Sequence, residues 1–308
     1  MGPVVGADCV PSLPFGMADE AMQNGSSTCQ AGIGFVHIPK TGGSNVVAAI
    51  KRCASVSILP SSRPSFHETA AQQQERFGGR WSRAYTFSVV RNPYDWAVSQ
   101  FFYSALVHCT QGSEWFPACR YKMDLFHENG TVRPYHPRHK ALFTAWLVEH
   151  DELAEALHSP FLAPNLISSA NFMTSQLAWL SPRALFAKPL SQESGRGGLL
   201  VRRVVHLEDT ADYAQHTSCD GLKAAACNYS PVQEATWAQQ LGNSMSGQHS
   251  SGVGHARATG HASSTAYYTT LACQIIRRRF ERDFLAFGYD VAACSTQAAR
   301  RTDGPKHR

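Results

Sequence analysis

Apolar residues first form a readable pattern at "GIGFVHI", Gly32 to Ile38. This short run bounded by glycine and proline predicts a buried strand. The segment after it places Val46, Val47 and Ile50 on one side, which predicts a helix beginning near Gly43. "SVSIL" (Ser55 to Leu59) reads as a second strand, and "AYTFSVV" (Ala84 to Val90) as a third that ends at Arg91. "NPYDWAVSQFFYSAL" then opens a helix. Pro93 sits where a first-turn proline is tolerated, Asp95 suits the first turn, and Ala97, Val98, Phe101 and Phe102 recur as its apolar face. Between Thr110 and Ser194 loops and helices mix, and "HKALFTAWLVEHDELAEAL" is clearly helical. "VRRVVHLED" (Val201 to Asp209) resembles a late strand. "YYTTLACQIIRRRFERDFLAFGY" predicts one amphipathic helix carrying Leu271, Ile275, Phe280, Phe284 and Phe287. Strands that alternate with helices predict an α/β fold, a mostly parallel sheet covered on both faces.

Composition adds boundaries. The chain has 308 residues, of which 43% are hydrophobic and 17% charged, which suits a globular protein. Residues 1–31 lack periodicity and read as a disordered arm, 32–291 as one domain, and 292–308 as a disordered basic tail. The net charge of +5 suits an anionic ligand or ordinary surface charge, and it lacks the clustering of a nucleic-acid binder. No apolar run reaches the roughly 18 residues of a membrane span. The first residues carry neither a basic region nor an apolar signal core, and Pro3 and Gly6 break a myristoylation motif.

The nine cysteines form no C-x-x-C pair, so no structural zinc site is expected. The Cys109/Cys119 and Cys219/Cys227 spacings suit local disulfides. Sequons at Asn24, Asn129 and Asn228 point with them toward a secretory lumen, with a cytosolic location open.

Chemistry concentrates in two strand-to-helix junctions, the place where α/β sheets bind ligands. In "HIPKTGGSN", Gly42 and Gly43 let the backbone approach an anion, Lys40 adds a point charge, and Thr41 and Ser44 add hydroxyls at a helix N-terminus. The lysine precedes the glycines, so this is not the G-x-x-x-x-G-K-[ST] loop of nucleoside-triphosphate enzymes. In "VVRNPYDWAVS", Arg91 can fork onto a phosphate and Ser99, eight residues on, can donate its hydroxyl. Two anion sites about 50 residues apart suit a nucleotide phosphorylated at two positions.

These two segments resemble the cofactor signatures of PAPS-dependent sulfotransferases, in particular the carbohydrate (Golgi-type) branch. "FHETAAQQQERFGGRW" (Phe66 to Trp81), "VVHLED" and the closing "DFLAFGYD" are similar to further segments of that family. Trp96 departs from it, standing where members usually have arginine, and Asn45 stands where a second hydroxyl residue is common. The resemblance implies a single sulfotransferase domain with a P-loop-like parallel sheet flanked by helices. It also implies PAPS as sulfuryl donor, no metal, and a glycan or other hydroxyl acceptor, with no nucleic acid. On this reading Thr41, Gly42, Gly43, Ser44 and Asn45 hold the 5′-phosphate, and Arg91 and Ser99 hold the 3′-phosphate. Lys40 eases the leaving group. His67 is the expected general base, with Glu68 the second candidate. His37 reads as packing behind the loop. The irregular spacing of His249, His255 and His261 does not suggest a metal site, and Arg257 beside them can reach the cofactor or an anionic acceptor. Arg277, Arg278 and Arg279 read as a solvated helix face. A nucleotide kinase-like enzyme and a catalytically inactive glycan-binding relative remain the alternatives.

Overall fold

The structure, a computed structural model, describes residues 32–53, 59, 68–107, 121–156, 174–182, 199–228 and 262–294. Among them are three strands, β1 (Ile33–Val36), β2 (Tyr85–Val90) and β3 (Arg203–His206). The helices are α1 (Gly43–Arg52), α2 (Ala70–Phe77), α3 (Gly79–Arg83), α4 (Pro93–Val107), α5 (Lys122–Leu125), α6 (Pro137–Ala156), α7 (Gln176–Leu180), α8 (Thr210–His216), α9 (Cys219–Cys227), α10 (Thr270–Arg279) and α11 (Glu281–Phe287).

The strands form a sheet in the order β1-β2-β3, and both pairings are parallel. Every residue of β2 is buried, as expected of a central strand covered on both faces. Alternation along the strands sorts the two faces. Ile33, Phe87, Val89 and Val205 pack with Val46 and Ala49 of α1, Tyr213 of α8 and Leu222 of α9. Val36, Val90 and Val204 pack on the other side with Trp81 of α3, Trp179 and Leu180 of α7, and Phe287 of α11. A third apolar cluster joins α4, α6, α10 and α11 through Phe101, Phe102, Phe143, Trp146, Phe280 and Phe284. The expected α/β class with helices on both faces is therefore present. Of the strand expected at Ser55 to Leu59, only Leu59 lies within the described residues, and its N–H donates to the Ile33 carbonyl at 2.9 Å. No described helix is long and apolar enough to cross a membrane.

Three expectations are corrected. The closing helix is two helices, broken at Phe280, whose φ of −113° and ψ of 21° are not helical. The break drops the Phe280 ring edge-on against Trp96, 5.3 Å between centroids, while Leu271 of the expected apolar stripe is left 48% exposed. Cys219 pairs with Cys53 rather than with Cys227. Cys219 and Cys227 are the first and last residues of α9, which separates them by about 12 Å along a helix axis, beyond a disulfide's reach. A second disulfide joins Cys273 and Cys294, whose Cα atoms are 5.9 Å apart, so the chain is held in place past the expected start of the tail. Cys109 and Cys119 lie outside the described residues.

The short α7 depends on one buried carboxylate. Asp283 of α11 is fully buried and accepts from the Ser175 hydroxyl, from the Gln176 N–H at 2.9 Å and from the Leu177 N–H at 2.8 Å. It satisfies the orphan donors of the first turn of α7 in the absence of a local cap. Asp283→Ala strands these buried donors and is expected to lower unfolding free energy by about 2–5 kcal/mol, measured by urea unfolding. Burial pushes the Asp283 carboxyl up to about 6, against the pull of its three donors. An unfolded aspartate titrates near 4, so between about pH 4 and 6 the native state holds more protons than the unfolded chain. Stability contributed by this group should fall as pH rises through that window, and Asp283→Ala should flatten the slope.

Candidate functional site

The carboxyl ends of β1, β2 and β3 lie side by side, and the loops that leave them are tied to one another. After β1 the chain runs through His37 to Gly42 before α1 begins. Lys40 in this loop has a φ of 65°, a left-handed conformation that costs a non-glycine residue roughly 1–2 kcal/mol. Gly42, at φ 85°, is the N-cap of α1 but offers no side-chain cap, and the first turn of α1 holds no acidic residue. The N–H groups and positive end of the α1 dipole are thus left without a counter-charge on the helix itself.

The glycines are required by the protein's own packing. A Cβ on Gly42 would come within 2.7 Å of Leu207 Cδ1 and 2.8 Å of the Tyr213 hydroxyl oxygen. A Cβ on Gly43 would lie 2.1 Å from His37 Cδ2. The His37 ring, stacked 5.8 Å from Phe35, therefore props up the start of α1, in keeping with a packing role.

Two of the expected phosphate ligands make contacts within the protein. Thr41 is fully buried, and its hydroxyl donates to the Ile38 carbonyl at 2.9 Å. The Asn45 side chain hydrogen-bonds the Tyr213 hydroxyl, which itself donates to the Gly42 carbonyl at 2.8 Å. Both contacts help to hold the loop's shape, with Thr41 buried and Asn45 half-buried. Ser44 is exposed at the start of α1.

The second junction meets the first. Arg91 follows β2, and its Nη1 lies 3.4 Å from the Lys40 carbonyl, across 51 residues of chain. Trp96 donates its indole N–H to the Pro39 carbonyl at 2.8 Å and so clamps the lysine loop onto α4. The ammonium of Lys40 sits 4.2 Å above the ring of Tyr103, also on α4. Ser99 is on the same helix and 5% exposed. The backbone of Arg91 is held at both ends by Gln176. Its N–H donates to Oε1 at 2.9 Å, and its carbonyl accepts from Nε2 at 2.7 Å. Asp283 thus positions Arg91 through α7.

The third junction supplies Glu208. Its Oε1 accepts the Asn92 N–H at 2.7 Å and its Oε2 accepts the Tyr289 hydroxyl at 3.0 Å. Burial raises the Glu208 carboxyl, partly offset by these donors. The "VVHLED" strand therefore ends on an acid that pins the start of α4.

Of the expected bases, His67 lies outside the described residues, as do Arg257, His249, His255 and His261. Glu68 accepts from Arg76 at 2.7 Å in a partly exposed ion pair. Thr69 behind it caps α2 in a reciprocal capping box with Gln72. Arg277 and Arg278 are exposed, as expected of a solvated face, and Arg278 and the less exposed Arg279 both pair with Asp151 of α6. Among the described residues no group of three or more His, Cys, Asp or Glu side chains is placed to hold a metal ion. Tyr213, Gln176, Tyr103 and Glu208 are the site residues that sequence reasoning did not single out. Only Glu208 had a signal, as the acid at the end of a late strand.

Compared with known proteins, the chain matches no family model, no curated protein and no solved structure.

Gly43→Ala should cost about 1–3 kcal/mol through collision with the His37 ring. Adding His37→Ala should relieve it, giving a coupling above about 0.5 kcal/mol in a double-mutant cycle read by urea unfolding.

Proposed function

We propose that this chain is a PAPS-dependent sulfotransferase acting on a hydroxyl group, with carbohydrate as the acceptor class. The observation that carries the reading is the meeting of the two motifs, with Arg91 Nη1 3.4 Å from the Lys40 carbonyl. The cations required by two phosphates of one nucleotide thereby stand on neighbouring strand ends, beside a helix N-terminus with no side-chain cap.

The donor set fits a doubly phosphorylated nucleotide. The α1 N–H groups, Ser44 and Lys40 would hold its 5′ side, and Arg91 and Ser99 its 3′-phosphate. PAPS supplies a sulfuryl group on an activated phosphate. Lys40 leaves the Tyr103 ring and places its charge where negative charge collects on the departing phosphate oxygen. The N–H groups of α1 are fixed before reaction by the Tyr213–Gly42 and Trp96–Pro39 hydrogen bonds, so little reorganisation is required. His67 accepts the proton of the attacking hydroxyl, since Glu68 is engaged with Arg76. The Cys53–Cys219 and Cys273–Cys294 disulfides support an oxidising secretory compartment such as the Golgi lumen.

The test is calorimetric binding of PAP, followed by radiolabelled sulfate transfer from PAPS to chondroitin, lactose and a simple alcohol. Lys40→Ala and Arg91→Ala should each lower transfer at least 100-fold, and Arg91→Ala should also weaken PAP binding. A folded protein that binds neither PAP nor PAPS overturns the proposal. PAP-independent glycan binding without transfer would select the inactive glycan-binding alternative.

A further inference from the structure

The face of α4 that looks toward the lysine loop carries a side chain with no structural task. Trp96 reaches the Pro39 carbonyl from this face, and Tyr103 lies beneath the Lys40 ammonium. Trp96, Ser99, Gln100 and Tyr103 follow one another at i, i+3, i+4 and i+7, so they share one helical stripe. Ala97, Val98, Phe101 and Phe102 on the other sides of the helix pack into the core, as does the ring of Trp96 itself. Gln100 is 1% exposed, and neither its Nε2 nor its Oε1 has a hydrogen-bond partner. A buried amide with both groups unpaired is costly and uncommon.

We propose, on the basis of the sulfotransferase reading, that Gln100 is an acceptor-positioning residue whose amide receives the substrate hydroxyl once Lys40 and Tyr103 part. The chemistry of the amide selects this partner. Phosphate and sulfate oxygens only accept hydrogen bonds and would leave Oε1 facing negative charge. A hydroxyl both donates and accepts, so it can satisfy Oε1 and Nε2 or bridge them to a neighbouring hydroxyl. Tyr103, three residues on from Gln100, and the lysine above it form the cover. Drawing Lys40 toward an anion uncovers the stripe, so donor binding precedes acceptor binding at this point. Gln100 moves no proton. It aims the oxygen that attacks.

Gln100→Leu, of similar volume, removes both polar groups. The unliganded variant should melt about 2–4 °C higher than the wild type, because unpaired groups are replaced by apolar ones. Its affinity for PAP should stay within twofold. The KM for whichever of chondroitin, lactose or the simple alcohol is sulfated should rise at least tenfold. A fall in melting temperature would show that the amide is structural, and a fall in PAP affinity would assign it to the donor. Either result overturns the proposal, as does unchanged acceptor KM in a variant that binds PAP. A wild-type protein that binds no PAP removes the sulfotransferase reading and this inference together.

Discussion

Parallel pairing of β1, β2 and β3 is the constraint from which the site follows. Because the strands run the same way, with Val36 opposite Ser88 and Val90 opposite His206, their three outgoing loops emerge at one edge. Each loop is then fastened to its neighbour. Arg91 and Trp96 bond the backbone of the lysine loop, Glu208 bonds the start of α4, and Tyr213 bonds Gly42. A net hydrogen bond of this kind is worth about 1 kcal/mol, but an unmade buried one costs more. The lattice is therefore held less by any single bond than by the four together.

The same lattice shapes the charge of the edge. Lys40 and Arg91 bring two cations together, and the α1 N-terminus adds its partial positive charge. Glu208 bonds the N–H of Asn92, the residue next to Arg91. Burial pushes it toward its neutral form, and both its oxygens accept hydrogen bonds from the scaffold. It can brace α4 without cancelling the field that an anion would meet. Asp283, deeper in the fold, is likewise consumed by donors of α7.

Periodicity made the elements legible. The apolar runs of β1 and β2, the proline-led entry to α4 and the long α6 could all be read because a local pattern and a tertiary demand agreed. The break at Phe280 could not, since its cause is the fit of one ring against Trp96, and the helical pattern continues through it. The Cys53–Cys219 link was hidden for a related reason, joining residues 166 apart that only the stacking of α9 on α1 brings together. In the site, charge was legible and geometry was not. Lys40 and Arg91 could be named from their junctions. The inward turn of Thr41 and the Asn45–Tyr213 contact could not, because a hydroxyl or amide beside a glycine pair can serve backbone or ligand equally well. Gly42 and Gly43 were recognised, but for space that an anion would need, whereas Tyr213, Leu207 and His37 already demand it.

Three departures from local comfort meet around the lysine loop. Lys40 sits in a left-handed conformation, α1 begins without a side-chain cap, and Gln100 is buried with its amide unpaired. All three belong to the lysine loop or to the α4 face turned toward it. Thr69 caps α2, Asp209 caps α8 and Thr269 caps α10, whereas the short helices α3, α5, α7 and α11 share with α1 a start that has no side-chain cap of its own. What sets α1 apart is that its uncapped end lies in the loop that Arg91 bonds. Strain of about 1 kcal/mol or more per feature persists only where surrounding structure imposes it, and here the clamp from Trp96 and Tyr213 does so. On the proposed reading, an entering anion would offset this cost, because it would pair the α1 donors and draw Lys40 from Tyr103. The strain of the loop and the binding proposed for it would then be one property.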